Sequence, residues 1–264
     1  MTMDRLAKTV REQVALGRLL PLGEPSDAAW ITESAAAGAL RRAAGNVAGV
    51  RLGAVALALD EDAPQPGRAD GSALAAVAAG EALMAGALPH RPLRITAGFE
   101  AALDDPLPRT ADRLRAALWA TAQDWLGLPV HAVDLAVTGL LDGPPPAEPV
   151  LEGVVVEDGD TPRELAQEPA AGDCAPRVAA AALAVPGVLR LTRRLAGLGS
   201  GVRVRDTAAG EGRAAGRRVQ LQFAVAAGHR PYLVARAVTA AVTPVAAFDA
   251  PGPVATAVVV TDTF

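Results

Sequence analysis

A chain of 264 residues with a formal charge of −4 and 20% charged residues excludes a disordered polyelectrolyte and a strongly basic nucleic-acid surface. Hydrophobic residues make up 51%, yet runs such as AVTAAVTPVAAF fall short of the ~20 apolar residues that span a bilayer. With 3% aromatics and 3 histidines, there is little material for stacking platforms, aromatic cages or a metal centre.

The first stretch, MTMDRLAKTVREQVALGRLLPLG, carries Glu12 and scattered arginines where a secretion signal needs an unbroken apolar run, so a cytoplasmic location is expected. Residues 3–18 read as a helix with Leu6, Val10 and Val14 on one face, ended by PLGEP. Trp30, Ile31 and Thr32 form a short extended piece. Ala36, Leu40, Ala43 and Val47 then recur at helical spacing, the stripe of a helix resting on another layer. In RLGAVALALD, Val55, Leu57 and Leu59 alternate as on a strand covered on one face.

An insertion, 61–92, holds the helix-like SALAAVAAGEALMAGAL. After it, LRITAGFEAAL places Leu93, Ile95, Ala97, Phe99, Ala101 and Leu103 on one side, with Arg94, Thr96 and Glu100 on the other. The clearest helical signal follows in PRTADRLRAALWATAQDWLG, through Ala111, Leu114, Leu118, Ala122 and Trp125, and Gly127 and Pro129 end it. VHAVDLAVTGLL then alternates Val133, Leu135 and Val137 as a strand.

The second half repeats this order. RVAAAALAV is a helix, GVRVRD a strand, and RRVQLQFAVA a strand with Val219, Leu221, Phe223 and Val225 on one face. RPYLVARAVTAAVTPV is a helix on Val234, Val238, Ala241 and Val245, and PVATAVVVTDTF closes as a strand. VAGV at 47–50 echoes VPGV at 185–188, and LAVTGLL echoes VVVTDTF.

The expected fold is α/β of the α+β type. Two small duplicated sandwiches each have about three strands covered by two helices, plus an N-terminal helix. The expected boundaries are an N-terminal helix in 1–24 and a first copy in 28–142 with its insertion at 61–92. A Pro/Gly-rich acidic linker at 143–175 and a second copy in 176–264 follow.

The pattern resembles the bacterial alkaline-shock or envelope-stress-response proteins, whose small domain runs short strand, helix, strand pair, helix, strand. The matching residues are WITESAAAGALRRAAGNVAGV, LRITAGFEAAL, ADRLRAALWATAQDWLGL and VHAVDLAVTGLL. The second copy matches with APRVAAAALAVPGV, RRVQLQFAVAAG, RPYLVARAVTAAV and PVATAVVVTDTF. The abundance of Ala, Gly and Arg beside the single lysine, Lys8, resembles actinobacterial usage. The resemblance implies a non-catalytic cytoplasmic adaptor or scaffold linked to envelope homeostasis. Such a protein works through a protein partner that is itself membrane-anchored, or through self-association, without inserting in the membrane.

The residues offer no catalytic, metal or cofactor set. Cys174, the one cysteine, has no histidine near it in sequence and reads as silent. GLGSG at 197–201 lacks the Lys and Ser/Thr ending of a phosphate loop and reads as a turn. Asp60, Glu61 and Asp62, and Asp104 and Asp105, read as solvated loop charge rather than cation ligands. His90, His131 and His229 are the available imidazole bases, but no nucleophile motif accompanies them. Arg203, Arg205 and the RR pairs make the second half locally basic, which suits solvated faces first and a protein interface second, with nucleic acid not expected. The candidate interface residues are Trp30, Trp119, Arg94 and Arg218. A small-ligand regulatory module using the cleft between the copies is the alternative.

Overall fold

The computed structural model describes residues 16–64, 86–141, 174–195, 201–209 and 214–264. Most of the expected N-terminal helix, of the helix-like part of the insertion and of the acidic linker lies outside them, and Leu19–Leu22, within the span 1–24 assigned to that helix, form a strand instead.

The chain begins with β1 (Leu19–Leu22) and β2 (Ala29–Thr32), joined through a 3-10 turn at Pro25–Asp27. Helix α1 (Glu33–Gly45) starts on Thr32, whose hydroxyl accepts from the Ala35 amide at 3.3 Å. Strands β3 (Val50–Leu59) and β4 (Leu93–Ala102) follow, then α2 (Leu107–Ala120), a π-helical turn at Thr121–Leu126 and β5 (Val130–Leu141). The second half runs α3 (Cys174–Leu183), β6 (Val188–Leu191), β7 (Val202–Thr207), β8 (Gly216–Val225), α4 (Pro231–Ala247) and β9 (Val254–Thr263).

Two mixed sheets result. In one, β3 lies antiparallel to β4 and β4 parallel to β5. In the other, β6 and β7 lie antiparallel along successive parts of β8, β8 is parallel to β9, and β2 and β1 extend the sheet beyond β9. Each half runs helix, antiparallel strands, helix, parallel strand, but the second half has two short strands, β6 and β7, where the first has β3 alone.

The second sheet has six strands where about three were expected. Trp30 and Ile31, read as part of the opening of the first copy, pair through β2 with Val259 and Val260 of β9, and Ala29 pairs with Val258. The physical reason lies in β9: Val258, Val259 and Val260 are all buried, and a strand covered on both faces also needs its edge paired.

One continuous apolar core joins the halves. It holds Leu40, Leu57, Ile95, Phe99 and Leu118 together with Val178, Leu221, Phe223, Val238 and Val260. Thr32 donates its hydroxyl to the Thr261 carbonyl at 3.1 Å, and Arg42 donates to the Thr263 carbonyl at 2.9 Å, so α1 is tied to β9 at both ends.

Three expected facings are corrected. Leu103 lies past the end of β4 in a turn and is exposed. Val137 is exposed because β5 is a sheet edge among the described residues. The π turn shifts the end of the α2 stripe, so Leu126 is buried and Trp125 is half-buried. In β3 a register shift between Leu52 and Val55 lets both residues pack on the core, which strict alternation would forbid.

The GV pairs have a backbone reason. Gly49 and Gly187 follow α1 and α3 with φ of 74° and 93°, a region that favours glycine. A Cβ at Gly187 would also stand 2.7 Å from the His229 ring and 2.8 Å from Val234.

Candidate interaction surface

Alternation along β4 sends Leu93, Ile95, Ala97 and Phe99 into the core and leaves Arg94, Thr96 and Glu100 on the outer face. Arg94 is the centre of a charge cluster built by three segments. Its Nη2 donates to Asp60 at 2.8 Å and to Asp62 at 3.0 Å, and its Nη1 donates to Asp134 at 2.7 Å. Its Nε also reaches Asp60, at 3.2 Å. Asp60 closes β3, Asp134 lies on β5, and the parallel register sets Thr96 beside Asp134. No sequence spacing relates these residues; the sheet brings them together.

The Asp60 side chain is fully covered, and the Arg94 guanidinium, followed by His131, pulls its carboxyl from the usual 3.8 down to about 2. Asp60 reciprocally holds Arg94 charged above its ordinary range, with Asp134 adding to the effect. The other oxygen of Asp60 meets His131 Nδ1 at 2.8 Å. Since an ionised carboxylate only accepts, Nδ1 carries the proton and donates.

This joins two residues that the sequence left apart as loop charge and isolated base. The pair is a base-orienting arrangement of the kind used in acid–base sites, but no hydroxyl or thiol is bonded to the imidazole among the described residues. Nor does any group of three or more His, Cys, Asp or Glu there stand ready to hold a metal ion.

The counterpart position tells a different story. Phe99 of β4 and Phe223 of β8 are both fully buried, and each pairs in parallel just before a register shift. Counting back five residues from each gives Arg94 and Arg218. Arg218 is exposed on the outer face of β8 and faces Arg205 of β7 directly, while Arg203 faces Gln220. Where Arg94 is met by carboxylates, Arg218 is met by another guanidinium.

Trp30 is corrected as an interface candidate. Its side chain is completely buried in a small cluster with Leu19, Ala257 and Val259 on the outer side of the six-stranded sheet. Its Nε1 donates to the Leu88 carbonyl at 3.3 Å, and the His90 ring stands edge-on at 5.2 Å. The chain's own residues around 87–90 thus cover it. Trp119 is half-buried against the main core. Arg94 is partly exposed, but its charge is neutralised internally.

Two arrangements went unread in the sequence. Arg217 of β8 is buried, grips both oxygens of Asp206 at 2.6 and 2.7 Å, and donates to the carbonyls of Ala246, Phe248 and Asp249. It holds the Asp206 carboxyl below the usual range. Cys174, the first residue of α3, lies beside this same guanidinium. The RR signal was visible at 217–218; that one arginine turns inward and the other outward follows from strand alternation.

A shallow cleft of about 300 Å³ opens where the halves meet, lined by Asp27, Gln123, Gly127, Tyr232 and Arg236 among others. Arg236 pairs with Asp27 at 3.3 Å across it. Gly127, with φ of 82°, allows the close approach of Tyr232, whose ring would meet an added Cβ at 2.6 Å. His131 and Asp60 are not among its walls.

No protein-family model, no curated protein and no solved structure matches this chain. Among the described residues no helix is long and apolar enough to cross a membrane.

Proposed function

We propose that this chain is a non-catalytic adaptor or scaffold made of two related copies of one small α/β unit, similar to the bacterial alkaline-shock or envelope-stress-response domain. The observation that carries this reading is the double recurrence of one pattern. The order helix, antiparallel strands, helix, parallel strand occurs twice, and in both last strands an extra threonine follows the partner of a buried phenylalanine, Thr138 after Val137 and Thr261 after Val260. The short strand that opens the resembling domain has its counterpart in β2, placed against the last strand of the other half.

In this reading the protein acts in the cytoplasm, next to the inner face of the membrane, through a membrane-anchored protein partner or through self-association. Its outer sheet faces, not an enclosed site, are the working surfaces. Cross-linking of the tagged native protein, followed by affinity purification from separated membrane and soluble fractions, tests it. Recovery of a membrane-anchored partner or of a second copy supports the adaptor. A protein found alone in the soluble fraction, or one that turns over a metabolite and loses this on a point substitution, overturns it.

The junction cleft favours a second reading, a regulatory module for a small polar ligand. Arg236, Asp27 and Gln123 offer donors and acceptors beside the Tyr232 ring. A metabolite panel that raises the unfolding temperature of the native chain, but not of an Arg236→Ala variant, would move this reading ahead of the adaptor.

A further inference from the structure

We propose that the outer face of β7 and β8 is a docking surface for an extended acidic peptide segment of a protein partner, gripped by Arg203, Arg205 and Arg218. This deepens the adaptor reading, on which it rests, by naming the chemistry of one partner.

The alternation is unambiguous. Val202, Val204, Val219 and Leu221 turn to the core, so Arg203, Arg205, Arg218 and Gln220 share the opposite face. Arg205 and Arg218 are exposed and stand directly across from each other. Like charges in that relation repel and weaken a sheet unless an anion lies between them. Asp206, the acidic residue on β7, turns inward to Arg217. None of the three outer arginines has an ion pair with a described residue.

Arg94, at the corresponding place on β4, is met by Asp60, Asp62 and Asp134. The first sheet provides its own carboxylates, whereas among the described residues no carboxylate meets the outer guanidiniums of the second.

The spacing selects the occupant. Arg203 and Arg205 are two residues apart on one strand, about 6.6 Å, which is the repeat of side chains on one face of an extended peptide. Guanidinium forks bind carboxylates in a bidentate way. A nucleic acid fits less well: the chain is negative overall, and Trp30, which lies on this side of the sheet, is fully buried and cannot stack on a base.

The test is fluorescence anisotropy of a labelled peptide of alternating Glu and Thr with the full chain at low salt. The expected result is saturable binding that weakens severalfold as salt rises. Affinity should fall about tenfold or more in the double variant Arg205→Ser, Arg218→Ser, and stay unchanged in Arg109→Ser, an exposed arginine of α2. The charge-keeping double variant Arg205→Lys, Arg218→Lys should bind more weakly than the native chain, which covers the case of a serine variant that misfolds. Equal binding of a Gln/Thr peptide, undiminished binding by both double variants, or tighter binding of a single-stranded oligonucleotide of equal charge overturns the proposal. If cross-linking recovers the same partner from the serine variant, the docking surface falls and the adaptor stands. If the acidic peptide binds but no partner is recovered in cells, the surface stands and the adaptor falls.

Discussion

Thr138 and Thr261 hold corresponding places in the two sheets. Phe99 pairs with Val137 and Glu100 with Gly139, leaving Thr138 as the extra residue; Phe223 pairs with Val260 and Ala224 with Asp262, leaving Thr261. Each threonine turns its hydroxyl back to the phenylalanine carbonyl, at 3.1 Å for Thr138 and 3.4 Å for Thr261. A bulge leaves a ladder group unpaired, and a side-chain hydroxyl on the extra residue supplies the missing partner.

Surroundings decide how much each hydroxyl matters. Thr261 is buried and also meets the Thr192 hydroxyl at 2.9 Å, whereas Thr138 is exposed on the edge strand. Thr261→Val should cost about 1–2 kcal/mol, because the buried Thr192 hydroxyl loses its partner. Thr138→Val should stay within about 0.5 kcal/mol. Urea unfolding of the two variants checks the order; equal losses would contradict it.

The glycines after α1 and α3 share a backbone conformation but not a neighbourhood. Alanine at either place incurs the left-handed penalty of about 1 kcal/mol. A Cβ at Gly49 would find Ala102 at 3.4 Å, an ordinary contact, while one at Gly187 would strike the His229 ring and Val234. Gly187→Ala should therefore destabilise by roughly 1–3 kcal/mol more than Gly49→Ala, read from denaturation midpoints.

Acid should weaken the fold through Asp60. Its carboxyl is lowered from 3.8 to about 2 in the folded chain, by Arg94 first and His131 second. A depressed carboxyl contributes its stability above the unfolded value, and loses it as pH falls from about 4 through about 2. Asp206, lowered by Arg217, acts in the same direction. Urea midpoints should drop over this window, and Asp60→Asn should show a smaller drop from a lower starting stability. A variant with the native acid dependence would remove Asp60 as its source.

Relief of the arginine pair should stabilise the isolated chain. Arg205→Glu places a carboxylate opposite Arg218 in an exposed cross-strand pair, an exchange of like for opposite charge that should gain up to ~1 kcal/mol. Thermal unfolding at low and high salt checks it, since the gain should shrink as salt screens the pair. A loss of stability at low salt would mean that Arg205 already has a carboxylate partner within the chain.

Periodicity made much of the fold legible. The inward residues of β4 and β8 could be read by counting in twos, and Leu114 and Leu118 of α2 by counting in threes and fours, because burial of one face forces those patterns. Counting failed where the backbone leaves its period: at the register shift in β3, at the π turn before Gly127, and past the end of β4 at Leu103. Short β6 lacks enough residues to show a pattern. Trp30 misled in another way, since a large aromatic in an extended piece suits a buried strand as well as an interface.

The amino-acid sequence by itself determined most of the succession of elements, though not the short β1 and β6, and the alternation that sends Arg94 and Arg218 outward, because these depend on near neighbours along the chain. Only the tertiary structure decided that β2 pairs with β9, that Asp60, Asp134 and His131 gather around Arg94, and that Arg218 meets Arg205 instead of a carboxylate. Each of these depends on which strands lie side by side and in what register. That choice is made by burying the continuous core of both halves at once, and no stretch of the chain read alone contains it.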